Sequence, residues 1–221
     1  MPTVSLKVMI ANTLHITTSR LHLLAVILLG LLALAQPSLG ADLKGGGRWE
    51  SLFNGKDLGG WVVMNNGAFT VTNGLLHTEK GMGWLRTEKE YTDFVLEAEW
   101  RALEANYKSG FFIRAGREGK PFPANVWQVN LKDNALGSLM KGNNTVLRSE
   151  TSRFSINKWV KFRIEVRGKK LMLDVNDDRA WEFNGLDAAR GYIGIQAEGK
   201  AFEFRNMRIQ KLGTDVPPKH N

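Results

Sequence analysis

Cysteine is absent from the 221-residue chain, and that one absence removes a disulfide framework, any thiolate zinc site and a lipid anchor carried on cysteine. Stability has to come from burial and backbone pairing. Histidine is almost as scarce: of four, His15 and His22 lie near the N-terminus and His220 near the C-terminus, leaving His77 for a folded domain. One imidazole cannot build a two- or three-histidine metal centre. It is equally poor support for a Ser-His-Asp triad, because no G-x-S-x-G elbow accompanies it. A phosphate-cradling loop is also missing, since GREGK at Gly116 to Lys120 lacks the spacing and the Ser or Thr that should come after it.

The formal charge is +8, yet lysine and arginine nowhere form a run of five. The densest group, Lys158, Lys161, Arg163, Arg167, Lys169 and Lys170, alternates with Val160, Phe162, Ile164 and Val166. This spacing describes the wet face of a strand better than a surface that tracks phosphates, so no nucleic-acid partner is expected.

Charge is thinnest at the start. Lys7 and Arg20 are the only formal charges in the first forty residues; they supply two of the eight net positive charges and leave +6 for the rest. After Arg20 comes a leucine-rich run, LHLLAVILLGLLALAQPSLGAD, that ends in small residues. A charged start, an apolar centre and an A-x-A site at Ala33 to Ala35, or Ser38-Leu39-Gly40 before Ala41, read as a signal peptide over residues 1–40. A permanent anchor is the alternative. Leu21 to Ala35 falls short of the ~20 apolar residues that cross a bilayer, and Gln36, Pro37 and Ser38 close it. The mature chain is therefore expected in the periplasm or outside the cell, with no membrane span after cleavage.

No sustained helical stripe occurs after residue 45; the dominant period is two. FVLEAEW places Phe94, Leu96, Ala98 and Trp100 on one face and Val95, Glu97, Glu99 and Arg101 on the other. WVKFRIEVRGKKLMLDVND reads as a hairpin around Gly168. Short alternating runs about ten residues apart, separated by Gly, Asn and Asp, predict an all-β antiparallel sandwich or barrel in one domain over residues 41–212, with a flexible tail at 213–221.

Several polar residues fall inside these strands: Glu99, Arg114, Gln128, Asn130, Gln196 and Glu198. Amides, a guanidinium and carboxylates near tryptophan suit a sugar, which offers hydroxyls for paired hydrogen bonds and C–H faces for stacking. A solvated sheet exterior fits the pattern equally well. No cofactor is required by these residues. An oxygen-ligated ion such as calcium is open, with Val175 to Asp178 (VNDD) as its best contributor, although the same four residues also describe an ordinary turn.

WESLFNGKDLGGW at Trp49 to Trp61, GWLRTEKEYTDFVLEAEWRA at Gly83 to Ala102, SGFFIRA at Ser109 to Ala115, and GYIGIQAEGKAFEFRNMRIQKL at Gly191 to Leu212 together resemble the 3-keto-disaccharide hydrolase domain. The opening F-N-G-K-D-L-x-G-W and the closing G-x-Q-x-E-G and F-R-N are the most specific parts. The resemblance implies a concanavalin A-like or laminin G-like sandwich of two antiparallel sheets, a jelly roll. It also implies action on glycosides whose C3 hydroxyl is oxidised to a ketone. Such a ketone acidifies the proton on C2, so that a base can remove it and expel the C1 substituent, after which water adds. The site then needs a carboxylate base and donors facing the enolate oxygen.

By the same resemblance, Glu99 is the expected base or its orienting partner, Glu198 the other acid or base, Arg114 the oxyanion stabiliser and Trp84 a stacking platform. Gln128, Asn130, Asp133 and Gln196 are expected to bind substrate, with Gly194 and Gly199 allowing its close approach. One departure stands out: the family's middle strand reads Glu-x-Gln with an Asp shortly after, where this chain has Gln128, Asn130 and Asp133. Gln128 cannot accept a proton at ordinary pH. The expected activity is hydrolysis or elimination and hydration of 3-keto-glycosides, and the alternative is a non-catalytic carbohydrate-binding module. Either way the partner is a small carbohydrate. An active site of this kind requires Glu99, Arg114, Gln128 and Glu198 to share one cleft.

Overall fold

The structure is a computed structural model that describes residues 46–151 and 154–213. The expected signal peptide and nearly all of the tail lie outside these residues. Among the described residues every regular element is a strand, and no helix is long and apolar enough to cross a membrane.

The strands form two sheets with antiparallel pairing throughout. The first sheet runs, in spatial order, β13 (Asp178–Asn184), β12 (Lys170–Val175), β11 (Val160–Arg167), β6 (Phe94–Ala102), β15 (Phe202–Leu212), β4 (Leu75–Thr78) and β3 (Phe69–Thr72), and β1 (Gly46–Ser51) also pairs with β15. The second runs β10 (Asn144–Leu147), β9 (Leu139–Lys141), β8 (Trp127–Lys132), β7 (Lys108–Ala115), β14 (Gly191–Glu198), β5 (Met82–Tyr91) and β2 (Trp61–Asn66). The period-two reading therefore holds, and the open choice between sandwich and barrel resolves to a two-sheet sandwich.

The alternating residues do what their spacing predicts. Phe94, Leu96, Ala98 and Trp100 of β6, with Phe162, Phe202 and Phe204 from its neighbours, point inward and are buried. They meet Phe111, Ile113, Ile193 and Ile195 of the second sheet in one core. Trp100 and Phe162 pack edge to face at 5.5 Å and 84°, an arrangement worth about 0.5–1.5 kcal/mol beyond area burial. On the outer face of the first sheet, Arg163 and Arg167 bracket Glu165 at 2.8 and 2.6 Å, and Asp177, Asp174 and Glu182 pair with Lys161, Arg163 and Lys170, so most of the basic group is paired with carboxylates of its own strand and of the hairpin that follows.

Three local features shape the hairpins and the outer faces. Gly168 turns β11 into β12 at φ 53°, and Asn176 and Asp177 turn β12 into β13 at φ 49° and 72°, the left-handed pair that a tight hairpin demands. VNDD is thus a turn, with Asp177 paired to Lys161 at 2.6 Å. The third is in β15, which pairs with β4 over Phe202 to Phe204 and with β1 over Arg208 to Leu212. Between them a bulge spans Arg205 to Arg208, with Asn206 at φ 50°.

Candidate functional site

The outer face of the second sheet carries a chain of polar side chains. Gln128 Nε2 donates to Gln196 Oε1 at 2.6 Å, Gln196 Nε2 donates to Glu198 Oε2 at 2.8 Å, and Lys108 Nζ donates to Glu198 Oε1 at 2.5 Å. Three strands contribute, β8, β14 and β7. Gln128 does not stand directly opposite Gln196; in register it faces Phe112, and its amide leans across Gly110. A Cβ on Gly110 would sit 2.0 Å from Gln128 Nε2, so the contact exists only because residue 110 is glycine.

Lys108 and Gly110 also belong to this chain of contacts, although the sequence reading gives neither of them a role. A signal is nonetheless present: in KSGFFIRA, alternation puts Lys108, Gly110 and Phe112 on one face, beside Gln128. Lys108 is nearly half exposed while the Glu198 carboxylate is 19% exposed, so the ion pair borders solvent with the carboxylate on its sheltered side. Asn130 lies across Gly110 in register and is buried, and its amide makes no hydrogen bond among the described residues. Asp133, just beyond β8, accepts from the Asn106 backbone at 3.0 Å. It lines a cavity of about 380 Å³ that Lys108 and Lys132 also line. Gln128, Asn130, Asp133, Gln196 and Glu198 thus share one region.

Trp84 is on the same face but is unable to serve as a platform. It is fully buried, packed edge to face with Phe112 at 5.7 Å over Gly194, whose own Cβ would be 2.6 Å from the indole. Gly194 therefore makes room for Trp84 and Phe112, not for a ligand, and Gly199 serves a turn at φ +69°. The segment between β7 and β8 covers this part of the face. Phe122 packs on Phe112 at 6.0 Å, and Asn65 Nδ2 clamps the segment through Gly119 O and Pro121 O at 2.7 and 2.8 Å.

Two expected catalytic residues are elsewhere. Arg114 has φ 48°, next to a register shift between Tyr192 and Gly194, and this breaks the alternation that would have kept it beside Phe112. Its guanidinium instead donates to Thr92 O, Gly168 O and Ala188 O, each at 2.7 Å, and to Asp93 Oδ1 at 2.8 Å. Burial pulls this group below its ordinary value, with Asp93 opposing. The side chain ties loops of both sheets together and has no free face for an oxyanion.

Glu99 stands on the outer face of the first sheet, the opposite side of the sandwich from Glu198. It accepts from Arg205 Nε at 2.8 Å and Asn206 Nδ2 at 2.9 Å. Burial alone would raise Glu99; these hydrogen bonds and the charges of Arg205 and Lys161 outweigh it and hold the carboxyl below its usual range. The four residues expected in one cleft therefore divide among three places. Among the described residues no group of three or more His, Cys, Asp or Glu could hold a metal ion.

The sequence from 48 to 210 matches the model of the 3-keto-alpha-glucoside-1,2-lyase-like domain. The chain belongs to this family. A search of curated proteins found none that matches. Among solved structures, a proposed glycosyl hydrolase from Parabacteroides distasonis is similar at 20% identity and a TM-score of 0.60, over 75% of this chain and 94% of that one. The carbohydrate-binding module CBM66 from Bacillus subtilis gives 14% and 0.60, over 69% and 96%. A protein of unknown function with a galectin-like fold, also from Bacillus subtilis, gives 12% and 0.60, over 77% and 97%. At these identities the likeness shows the fold. For the 3-keto-alpha-glucoside-1,2-lyase-like domain this is a sandwich of two antiparallel sheets, as the family resemblance implies, with Glu198 and Lys108 on one of its outer faces.

Proposed function

We propose that this protein is an exported enzyme that cleaves 3-keto-glycosides by elimination across C1 and C2, with Glu198 as the base and Lys108 as its acid partner. The observation that carries the reading is the Lys108–Glu198 pair at 2.5 Å, held from behind by Gln196. Each carboxylate oxygen has a second lone-pair site, so Glu198 can accept a proton while keeping both partners. It takes the proton from C2, which the C3 ketone has acidified. The electron pair forms the C1=C2 bond as the C1–O bond breaks, and Lys108 gives a proton to the departing oxygen. Addition of water across the new double bond completes hydrolysis; its omission leaves a lyase.

In this reading Gln128 is not a failed base. Its amide donates to Gln196, which turns the Gln196 NH₂ towards Glu198, so a chain with Gln at position 128 keeps its base at Glu198, at the far end of the same hydrogen-bonded chain. General base catalysis of this kind contributes about 10²- to 10⁴-fold. Incubating the purified protein with a 3-keto-disaccharide and following the products by mass spectrometry tests the proposal. Release of the free leaving sugar is expected from the wild type, and a loss of about 10²- to 10⁴-fold from Glu198→Gln. Turnover no faster than in buffer overturns it.

The second reading is a carbohydrate-binding module. The contiguous amides of Gln128, Asn130 and Gln196 favour it, since they supply donors and acceptors without proton transfer. It requires saturable binding without turnover, with Glu198→Gln binding as well as the wild type. Export rests on the leader, and N-terminal sequencing of the mature protein tests it: a start near Ala41 is expected, and a start at residue 1 counts against it.

A further inference from the structure

A second cavity lies on the opposite side of the sandwich from the Glu198 face. Where β15 leaves β4 for β1, its bulge opens a groove of about 740 Å³, within the 300–1,000 Å³ common for small-molecule sites. The two most specific stretches of the sequence meet there: Phe53, Asn54 and Gly55 of the opening motif and Arg205 and Asn206 of the closing one. The elimination site uses Gln196 and Glu198 of the closing G-x-Q-x-E-G, but neither the F-N-G of the opening motif nor the F-R-N of the closing one.

We propose that this groove is a second carbohydrate site, which takes a neutral, unoxidised oligosaccharide. Its charges are balanced: Glu50, Glu97 and Glu99 against Lys161, Arg205 and Arg208. A net-neutral lining disfavours anions and cations alike, and its polarity disfavours an apolar ligand.

The groups are also held rigid. Arg208 lies over the Trp49 ring at 4.4 Å and donates through Nε and Nη2 to Glu97 Oε2 at 2.8 and 2.6 Å. Arg205 lies over Trp159 at 3.9 Å and donates to Glu99 Oε2 at 2.8 Å through Nε. In each case a tryptophan and a carboxylate fix one guanidinium, as preorganised polar recognition requires. Glu97 Oε1 accepts no hydrogen bond among the described residues, although its side chain is only 12% exposed. A hydroxyl is the complement of this pair: it donates to Glu97 and accepts from Arg208, whose Nη1 makes no hydrogen bond among the described residues.

The two faces are separated by the full thickness of the sandwich, so both sites can be filled at once. Titration calorimetry with maltotriose and cellotriose on the full protein provides the test. Saturable binding of at least one is expected. Glu97→Gln, which keeps an acceptor for Arg208 but removes the charge, should weaken it about tenfold, as loss of one charged hydrogen bond does. Glu198→Gln should leave the affinity unchanged, and Glu97→Gln should leave 3-keto-disaccharide turnover unchanged. Absence of saturable binding of both sugars to the wild type overturns the proposal, and so does binding that survives Glu97→Gln but is lost in Glu198→Gln. Neither outcome bears on the elimination activity, which the 3-keto-disaccharide assay reads separately.

Discussion

Gln128 Nε2 lies 2.6 Å from Gln196 Oε1 although the two residues are neither on adjacent strands nor in register. The strand between them contributes Gly110 at the crossing point, so the contact is made over a residue with no side chain. Replacing Gly110 with Ala would place a methyl 2.0 Å from Nε2 and 2.7 Å from the amide carbon. Gln128 must then leave and Gln196 loses its donor. Gly110→Ala is expected to cost about 1–3 kcal/mol in denaturant unfolding, as overpacking does, and to lower kcat on a 3-keto-disaccharide. An unchanged kcat would detach the amide chain from catalysis.

Lys108 and Glu198 are expected to act as a unit. Lys108→Met and Glu198→Gln should each reduce kcat/KM, and the double variant should fall little further than Glu198→Gln alone, the non-additivity of groups that serve one step. Additive losses would mean separate roles.

Arg114 is expected to matter for folding and not for chemistry. Arg114→Met leaves Asp93 without its cation and three backbone carbonyls without a donor. A loss of about 3–5 kcal/mol is expected for a broken buried pair, seen as a lower denaturation midpoint, while activity per folded molecule stays near that of the wild type. A selective loss of kcat with stability intact would return Arg114 to the active site.

Acid should act on the first sheet. Burial would raise Glu165, but the hydrogen bonds and charges of Arg167 and Arg163 outweigh it and leave its folded-state value below the ordinary 4.5; Glu99 is lowered likewise. A carboxyl depressed on folding contributes stability above 4.5, and that contribution is lost as pH falls from 4.5 through the folded value. Glu165→Gln is therefore expected to be less stable than the wild type at neutral pH and to lose less stability on acidification below 4.5. Parallel pH profiles would refute this assignment.

Asn65→Asp should release the segment that hides Trp84. The change keeps a residue tolerant of φ 58° but turns the donor that faces Gly119 O and Pro121 O into an acceptor. Faster amide exchange over residues 116–126 is expected, with greater acrylamide quenching of tryptophan. No change in either would show that Phe122 alone holds the segment.

The strands were legible in the sequence because alternation is local: Phe94 to Trp100 announce their face whatever they pair with. The hairpin at Gly168 and the turn at Asn176 and Asp177 were equally local. The family was legible in its motifs, and Gln128, Asn130, Asp133, Gln196 and Glu198 do come together. The reason for the motif glycines was not, since Gly110 and Gly194 make room for Gln128 and Trp84, side chains that neighbouring strands bring to them.

What the sequence determined alone is the all-β character, the absence of thiol and multi-histidine chemistry and the parity of most strand residues. Only the tertiary structure decided which carboxylates share a face. Glu99 and Glu198 carry the same period-two signal, and the strand order sends them to opposite sheets. Arg114 has the parity of Lys108, and a left-handed φ beside a bulge turns it towards Asp93. Alternation reports which side of its own strand a residue occupies; sheet order and local bulges decide what waits on that side.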